Sequence, residues 1–214
     1  PALNYGHDLE AMLKAIREDT RIVFLANPNN PTGTFLKPAE IESFLDRVPS
    51  DVVVVIDEAY NEFLDNSIQY DSTLWVKKYP NLLVSRTFSK AYGLAALRVG
   101  FALAQPELTD LLNRVRQPFN TNALAQAAAI AALEDYEFLK ESAAINAQGY
   151  KVLTQAFDEM GLEYVPSYGN FVLVKVGNDD DAGARVNLEL LRRGIIVRPV
   201  KGYKLPQWLR ISIG

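Results

Sequence analysis

Cysteine is missing from all 214 residues, which excludes disulfides, thiolate metal sites and a cysteine nucleophile. Histidine occurs once, at His7. With no ligand partners at metal spacing around it, neither a metal site nor a Ser-His-Asp triad can be built in the usual way. No apolar run approaches the roughly 18 residues needed to span a bilayer, and no stretch resembles a signal peptide. The basic residues are dispersed and outnumbered, 22 Lys and Arg against 26 Asp and Glu for a net charge of -4, so there is no footprint for nucleic acid. Gly93 and Gly100 belong to no G-x-G-x-x-G pattern, which removes the dinucleotide fingerprint. Asp179-Asp180-Asp181 lacks the rest of a calcium loop and reads as a solvated turn and helix cap. Trp75 and Trp208 read as packing residues.

What remains is an ordinary composition, 49% hydrophobic and 22% charged, long enough for one large core or two small ones. The absence of cysteine and of membrane signals fits a cytoplasmic protein. The chain opens at Pro1 without methionine and closes on an apolar run at Gly214, so a fragment of a longer protein is expected.

Asp8 is a candidate N-cap for a helix with Leu9, Met12, Leu13 and Ile16 on one face. Arg21 to Ala26 reads as a strand running into the turn Asn27-Pro28-Asn29-Asn30-Pro31-Thr32-Gly33. Pro38 suits the first turn of the next helix. Val52 to Ile56 is continuously apolar, the pattern of a strand buried on both faces. Asn81 to Phe88 and Arg98 to Ala104 are further strand candidates, and a helix begins at Pro106. Helices over Asn122 to Leu133 and Tyr136 to Met160, a strand over Phe171 to Val176, a helix near Ala184 to Arg193 and two short strands complete the chain. Alternating strands and helices predict an α/β fold with a mostly parallel sheet flanked by helices. The change of rhythm near Pro118 places a boundary there, with residues 1–118 in a larger unit and residues 119–214 in a smaller α+β unit.

In such sheets, sites gather beyond the carboxyl ends of strands. Asn30 follows the first predicted strand, Asp57 ends the second, Lys90 follows the third and Arg98 lies just beyond. An amide, a carboxylate, a lysine flanked by hydroxyls and an arginine are the groups a pyridoxal cofactor requires. Its aldehyde needs an amine, its ring nitrogen an acid, and its phosphate needs donors and positive charge. A buried acid against the ring nitrogen raises that nitrogen's pKa by about 1–3 units, or roughly 1.4–4 kcal/mol. Each residue also has a plainer reading. The asparagine-proline stretch can be only a turn, Asp57-Glu58 a helix cap, Lys90 a solvated cation, Tyr60 a core aromatic. Thr87 and Ser89 can satisfy strand-end backbone groups, and Arg98 and Arg210 can sit in ion pairs. Their joint order favours the cofactor.

The stretches Asn27 to Gly33, Ile56-Asp57-Glu58-Ala59-Tyr60, Thr87-Phe88-Ser89-Lys90-Ala91-Tyr92-Gly93-Leu94 with Leu97-Arg98-Val99-Gly100, and Val197-Arg198-Pro199 with Leu209 to Gly214 carry a resemblance. The sequence resembles the fold-type I aminotransferases, and within them the histidinol-phosphate aminotransferase family. The resemblance implies pyridoxal 5'-phosphate as cofactor. Lys90 would bond to it and shuttle protons, while Asp57 would pair with the ring nitrogen and Asn30 and Tyr60 with the phenolic oxygen. Thr87, Ser89 and Arg98 would hold the phosphate. Arg210 would bind a substrate carboxylate, with Arg198 beside it for a substrate phosphate, and Asn170 is a further substrate-facing candidate.

The implied reaction takes an amino donor, histidinol phosphate, and a 2-oxo acid, 2-oxoglutarate, in histidine biosynthesis. A homodimer is implied, without nucleic-acid or membrane partners. Aromatic amino-acid transamination and decarboxylation of a phosphorylated amino acid are the neighbouring activities. A catalytically silent regulator or binding module is the alternative of another kind. The resemblance also implies a further N-terminal segment that contributes sheet strands, phosphate donors and a stacking aromatic, so the isolated 214 residues are expected to bind cofactor poorly.

Overall fold

The valine-rich run that ends at Asp57 forms an inner strand of a four-stranded sheet, paired on both edges. The computed structural model describes residues 2–214. A two-residue hairpin, β1 (Ala2–Leu3) and β2 (Gly6–His7), precedes α1 (Leu9–Ala15), β3 (Ile22–Ala26), α2 (Pro38–Leu45) and β4 (Val53–Asp57). Then come α3 (Thr73–Lys78), β5 (Leu82–Thr87), β6 (Gly100–Ala104), α4 (Pro106–Val115), α5 (Ala123–Glu134) and α6 (Tyr136–Glu159). The chain finishes with β7 (Tyr164–Val165), β8 (Phe171–Lys175), α7 (Ala182–Arg192), β9 (Arg198–Pro199) and β10 (Trp208–Ser212). One four-stranded sheet has the order β3-β4-β5-β6 and a second the order β7-β8-β10-β9.

Local chemistry sets the helix starts. Asp8 accepts a hydrogen bond from the Ala11 amide at 2.9 Å, Asn122 from Ala125 at 2.8 Å, and Asp135 from Phe138 at 3.1 Å, each satisfying an orphan donor of a first turn. Pro38 occupies the first turn of α2, where Glu40 reaches back to the Lys37 amide at 2.8 Å. The β1–β2 hairpin, α3 and the two-residue β7 lie outside the sequence expectations. The residues of the hairpin carry only loop signals, and α3 is too short for periodicity to reveal it.

Strands β3, β4 and β5 are parallel, and β6 is antiparallel to β5. The segment between β5 and β6 forms only turns and a 3-10 turn at Ala95–Leu97, whereas a parallel return needs a long crossover. Alternation along the strands sorts two faces. Leu25, Val54, Ile56, Leu82 and Val84 are fully buried against Ile41, Phe44 and Trp75, and each such side chain contributes about 1.5–3 kcal/mol. On the other face Ile22 is 52% and Phe24 67% exposed, and Val53 and Val55 are half-buried. The expectation that the valine run is covered on both faces is therefore corrected: among the described residues, helices α1 to α3 cover one face only.

The two sheets meet along a seam. Tyr168 donates its amide to Gly33 O at 2.8 Å, and Tyr60 packs edge-on to Phe171 with centroids 5.2 Å apart. Gly33 has φ +80°, and a Cβ there would fall 2.1 Å from Ser167 Oγ and 2.8 Å from Ser167 Cα. Gly33→Ala is expected to lower stability by about 2–4 kcal/mol, combining backbone strain with overpacking. Urea unfolding measures it, and a loss below about 1 kcal/mol would contradict this account of the seam.

His7 pairs through Nε2 with Ala26 O at 3.0 Å. Burial holds its imidazole below the ordinary 6.5, against the Ala26 carbonyl, which favours the charged ring. The folded state thus binds fewer protons than the unfolded chain just below pH 6.5. The stability contribution is complete above that pH and declines as pH falls through the lowered folded value. His7→Gln should flatten the dependence of unfolding free energy between pH 7.5 and 5. An unchanged slope would rule His7 out as its source.

Candidate active site

The parallel register brings Ala26, Asp57 and Ser85 level with one another at the carboxyl ends of β3, β4 and β5. The loops leaving these strands therefore converge at one edge. After β3, the asparagines of the Asn27-to-Gly33 loop divide their labour. Asn27 is fully buried, accepting from the Leu36 amide at 2.7 Å and donating to Leu36 O at 3.1 Å. Asn29 donates to Thr32 Oγ1 at 2.7 Å. These two build the turn and leave the exposed Asn30 for the site.

Asp57 closes β4 on the open face of the sheet and accepts from the Ala59 amide at 3.1 Å. Tyr60 is buried. Its phenol is pushed up by burial, with Asp57 adding to the rise and Arg210 opposing it. The Lys90 amine stands 5.6 Å from the centre of the Tyr60 ring. Thr87 Oγ1 accepts from the Ser89 amide at 3.1 Å, so the plainer reading of Thr87, a strand-end backbone partner, also describes a real contact. Arg98, with φ +53°, donates through Nη1 to Ala95 O at 2.8 Å and to Ser89 Oγ at 3.4 Å.

Asn30, Asp57, Tyr60, Thr87, Ser89, Lys90 and Arg98 all line a single cavity of about 410 Å³. Lys90 also borders a neighbouring cavity of about 380 Å³ that contains Asn146 and Asn170. Asn30, Asp57, Lys90 and Arg98 are solvent-exposed, as expected of groups projecting around an incompletely covered sheet face.

Arg210 reaches the site from β10. Its Nη1 donates to Asn30 Oδ1 at 2.6 Å across 180 residues of sequence, and its guanidinium lies 5.0 Å from the Phe171 ring centre. Its Nε is buried without a partner, an unsatisfied donor suited to an anionic acceptor. Arg198 is directly opposite Arg210 in the antiparallel register, but it is exposed and does not line the cavity. Its link to the site is the strand pairing alone.

The donor set fits a phosphorylated pyridine aldehyde: an amine, a carboxylate, a phenol, and hydroxyls beside a guanidinium around one cavity. Sequence reasoning reads Glu58 only as part of a helix cap and misses the group it joins directly behind this one. Glu58, Arg86 and Ser72 form a polar cluster at the same strand ends, and Arg86 borders the cavity. The signal that could have found it is an acid directly after one apolar strand and an arginine within the next. Among the described residues, no group of acidic or histidine side chains is arranged to hold a metal ion, and no helix is long and apolar enough to cross a membrane.

Comparison with known proteins places this geometry. The family model for aminotransferase class I and II matches residues 1–214. Histidinol-phosphate aminotransferase 2 of Ralstonia nicotianae is 71% identical over 214 residues, covering 100% of this chain and 57% of that protein. Histidinol-phosphate aminotransferase 1 of Cupriavidus pinatubonensis is 67% identical over 213 residues, with the same coverage. The chain thus spans about 57% of the length of these curated relatives. The crystal structure of histidinol-phosphate aminotransferase from Sinorhizobium meliloti in complex with pyridoxal-5'-phosphate superposes with a TM-score of 0.91 at 34% identity, covering 99% of this chain and 58% of that one. L-threonine-O-3-phosphate decarboxylase from Porphyromonas gingivalis shares the fold alone, at 24% identity and a TM-score of 0.79, over 94% of this chain and 62% of that one. A family model matched over all 214 residues, together with relatives this similar, shows that the chain belongs to the class I and II aminotransferases.

Proposed function

We propose that this chain, as part of a longer polypeptide, uses pyridoxal 5'-phosphate to move an amino group from histidinol phosphate to a 2-oxo acid, 2-oxoglutarate. The observation that carries the reading is the convergence of Lys90, Asp57 and Arg98 on one cavity. Support for the substrate comes from relatives named for it at 71% and 67% identity. When bound, the cofactor supplies an electron sink for the charge left on a substrate carbon that loses a proton.

The chain's own groups perform the remaining work. Lys90 Nζ would hold the cofactor until the substrate's amine displaces it, and the freed amine would then take the substrate Cα proton and return one as general base and acid. Asp57 holds the ring-nitrogen proton, which keeps the sink effective. Asn30 and Tyr60 hold the phenolic oxygen. Thr87, Ser89 and Arg98 hold the phosphate, with Arg98 supplying a fork matched to oxyanion geometry. Arg210, with its free Nε, clamps the anionic end of the substrate, and Arg198 adds positive charge on the adjacent strand. The same reading assigns residues 1–118 to the cofactor-binding unit and 119–214 to a smaller unit. It carries with it a homodimer and a cytoplasmic location.

In a polypeptide of the relatives' length, Lys90→Ala is expected to abolish the visible cofactor band, borohydride labelling at this position and nearly all turnover. Retention of band and turnover would sink the assignment. Arg210→Met should reduce kcat/KM for histidinol phosphate about 100-fold, equivalent to about 3 kcal/mol, and equal turnover of histidinol phosphate and phenylalanine by the unaltered protein would redirect the substrate reading to aromatic amino acids. The isolated 214 residues should bind pyridoxal phosphate at least about tenfold more weakly than the longer polypeptide. Equal affinity in a fluorescence titration would contradict a contribution from outside this chain.

A further inference from the structure

Asp57 and Glu58 are adjacent acids with opposite surroundings. Asp57 faces the cavity, while Glu58 points through the other side of the sheet and is 0% exposed. Glu58 Oε2 accepts from Ser72 Oγ at 2.8 Å and from Arg86 Nε at 2.9 Å, with Arg86 Nη2 also 2.8 Å away. Arg86 Nη2 reaches Ser72 Oγ as well, at 3.3 Å. The pair ties β4 to β5 one residue beyond Asp57 and one residue before Thr87, at a point where the backbone adds a Glu58 N–H to Ser85 O bond of 2.9 Å. A buried ion pair contributes little net stability relative to apolar residues of the same volume, because desolvation offsets the attraction. Stability alone is thus a weak explanation for placing it directly behind the site.

The surrounding charges are few. On the buried side, Glu62 and Asp71 are the further acids near Arg86, with the phenol of Tyr92, and the phenol of Tyr70 lies against Glu58, held well above its ordinary value by burial and by the Glu58 charge. Both Glu62 oxygens are buried without partners, and burial pushes that carboxyl above the usual range. On the cavity side, Asp57, Tyr60, Lys90 and Arg98 line the pocket, and Arg210 approaches from β10.

We infer that Glu58 is a positioning residue that anchors and neutralises Arg86, fixing the spacing of the β4 and β5 ends and keeping an uncompensated cation from acting on Lys90 across the sheet. This rests on the cofactor reading above. Removing the Glu58 charge leaves Arg86 without its paired carboxylate, opposed only by Glu62 and Asp71, on the border of the cavity that Lys90 lines. A nearby cation disfavours protonation of the cofactor-bound Lys90 nitrogen, so the pH at which it loses its proton falls.

The test is a pH titration of the visible cofactor band in a polypeptide of the relatives' length, loaded with pyridoxal phosphate. Glu58→Gln should lower the midpoint by about one pH unit. Glu58→Asp should stay close to the unaltered protein. The double variant Glu58→Gln/Arg86→Met, which removes both charges, should return to within about 0.3 unit of it, the signature of a coupled pair. A structural role alone would weaken cofactor retention without this pattern of midpoints.

An unchanged or raised midpoint in Glu58→Gln would overturn the inference. If that variant does not fold, Glu58→Met decides by the same reading: a lowered midpoint supports charge balance and an unchanged or raised one refutes it. Failure of the unaltered protein to form a borohydride-trappable band at Lys90 would instead remove the cofactor reading, and this inference with it.

Discussion

Parallel register among three short strands is the constraint on which the site depends. Because Ala26, Asp57 and Ser85 are level, the loops after β3, β4 and β5 leave the sheet at the same height and can meet around one small molecule. A slip of one residue in β4 would turn Asp57 to the packed face and Glu58 to the open one. The burial of Val54 and Ile56 at 0% exposure opposes that slip, since it would bring half-buried valines into the packed face in place of a fitted pair. The apolar core thereby specifies which of two adjacent acids meets the cavity. Packing and chemistry are joined at this strand end.

Much of this was legible in the sequence because the signals were local or ordered. Strand positions followed from apolar runs, helix starts from Asp8, Pro38 and Asn122, and the site set from polar residues recurring just after strands. The half-covered sheet was not legible. A run such as Val52 to Ile56 reports the hydrophobicity of both faces without reporting what lies against them. The antiparallel β6 was hidden for a related reason, because direction is set by the connection, and the stretch from Phe88 to Val99 carries motif residues that mask its inability to form a crossover helix. The Glu58–Arg86 contact spans 28 residues and no periodicity encodes it. The Arg210–Asn30 bond, across 180 residues, could be approached only through resemblance.

The seam between the two sheets gives the substrate side of the site its reach. Aromatic contacts and one backbone hydrogen bond at Gly33 hold β8 and β10 against the loop that presents Asn30. Arg210 therefore arrives with its orientation set by Asn30 and Phe171, and little rotamer freedom remains to be lost when it meets an anion. Arg198 has no such contact with the cavity. Its exposure is the clearest departure of the observed arrangement from a symmetric pair of arginines.

Arg98 illustrates how one position can carry two independent demands. Its guanidinium is fastened to Ser89 and Ala95, while its main chain occupies the left-handed region that side-chain-bearing residues visit only at a cost. Lysine there would retain charge and strain together, glycine would relieve the strain and discard the charge, and a β-branched residue would suffer on both counts. Substitutions at this one codon can therefore separate how much of its value lies in the cation and how much in the bend it permits.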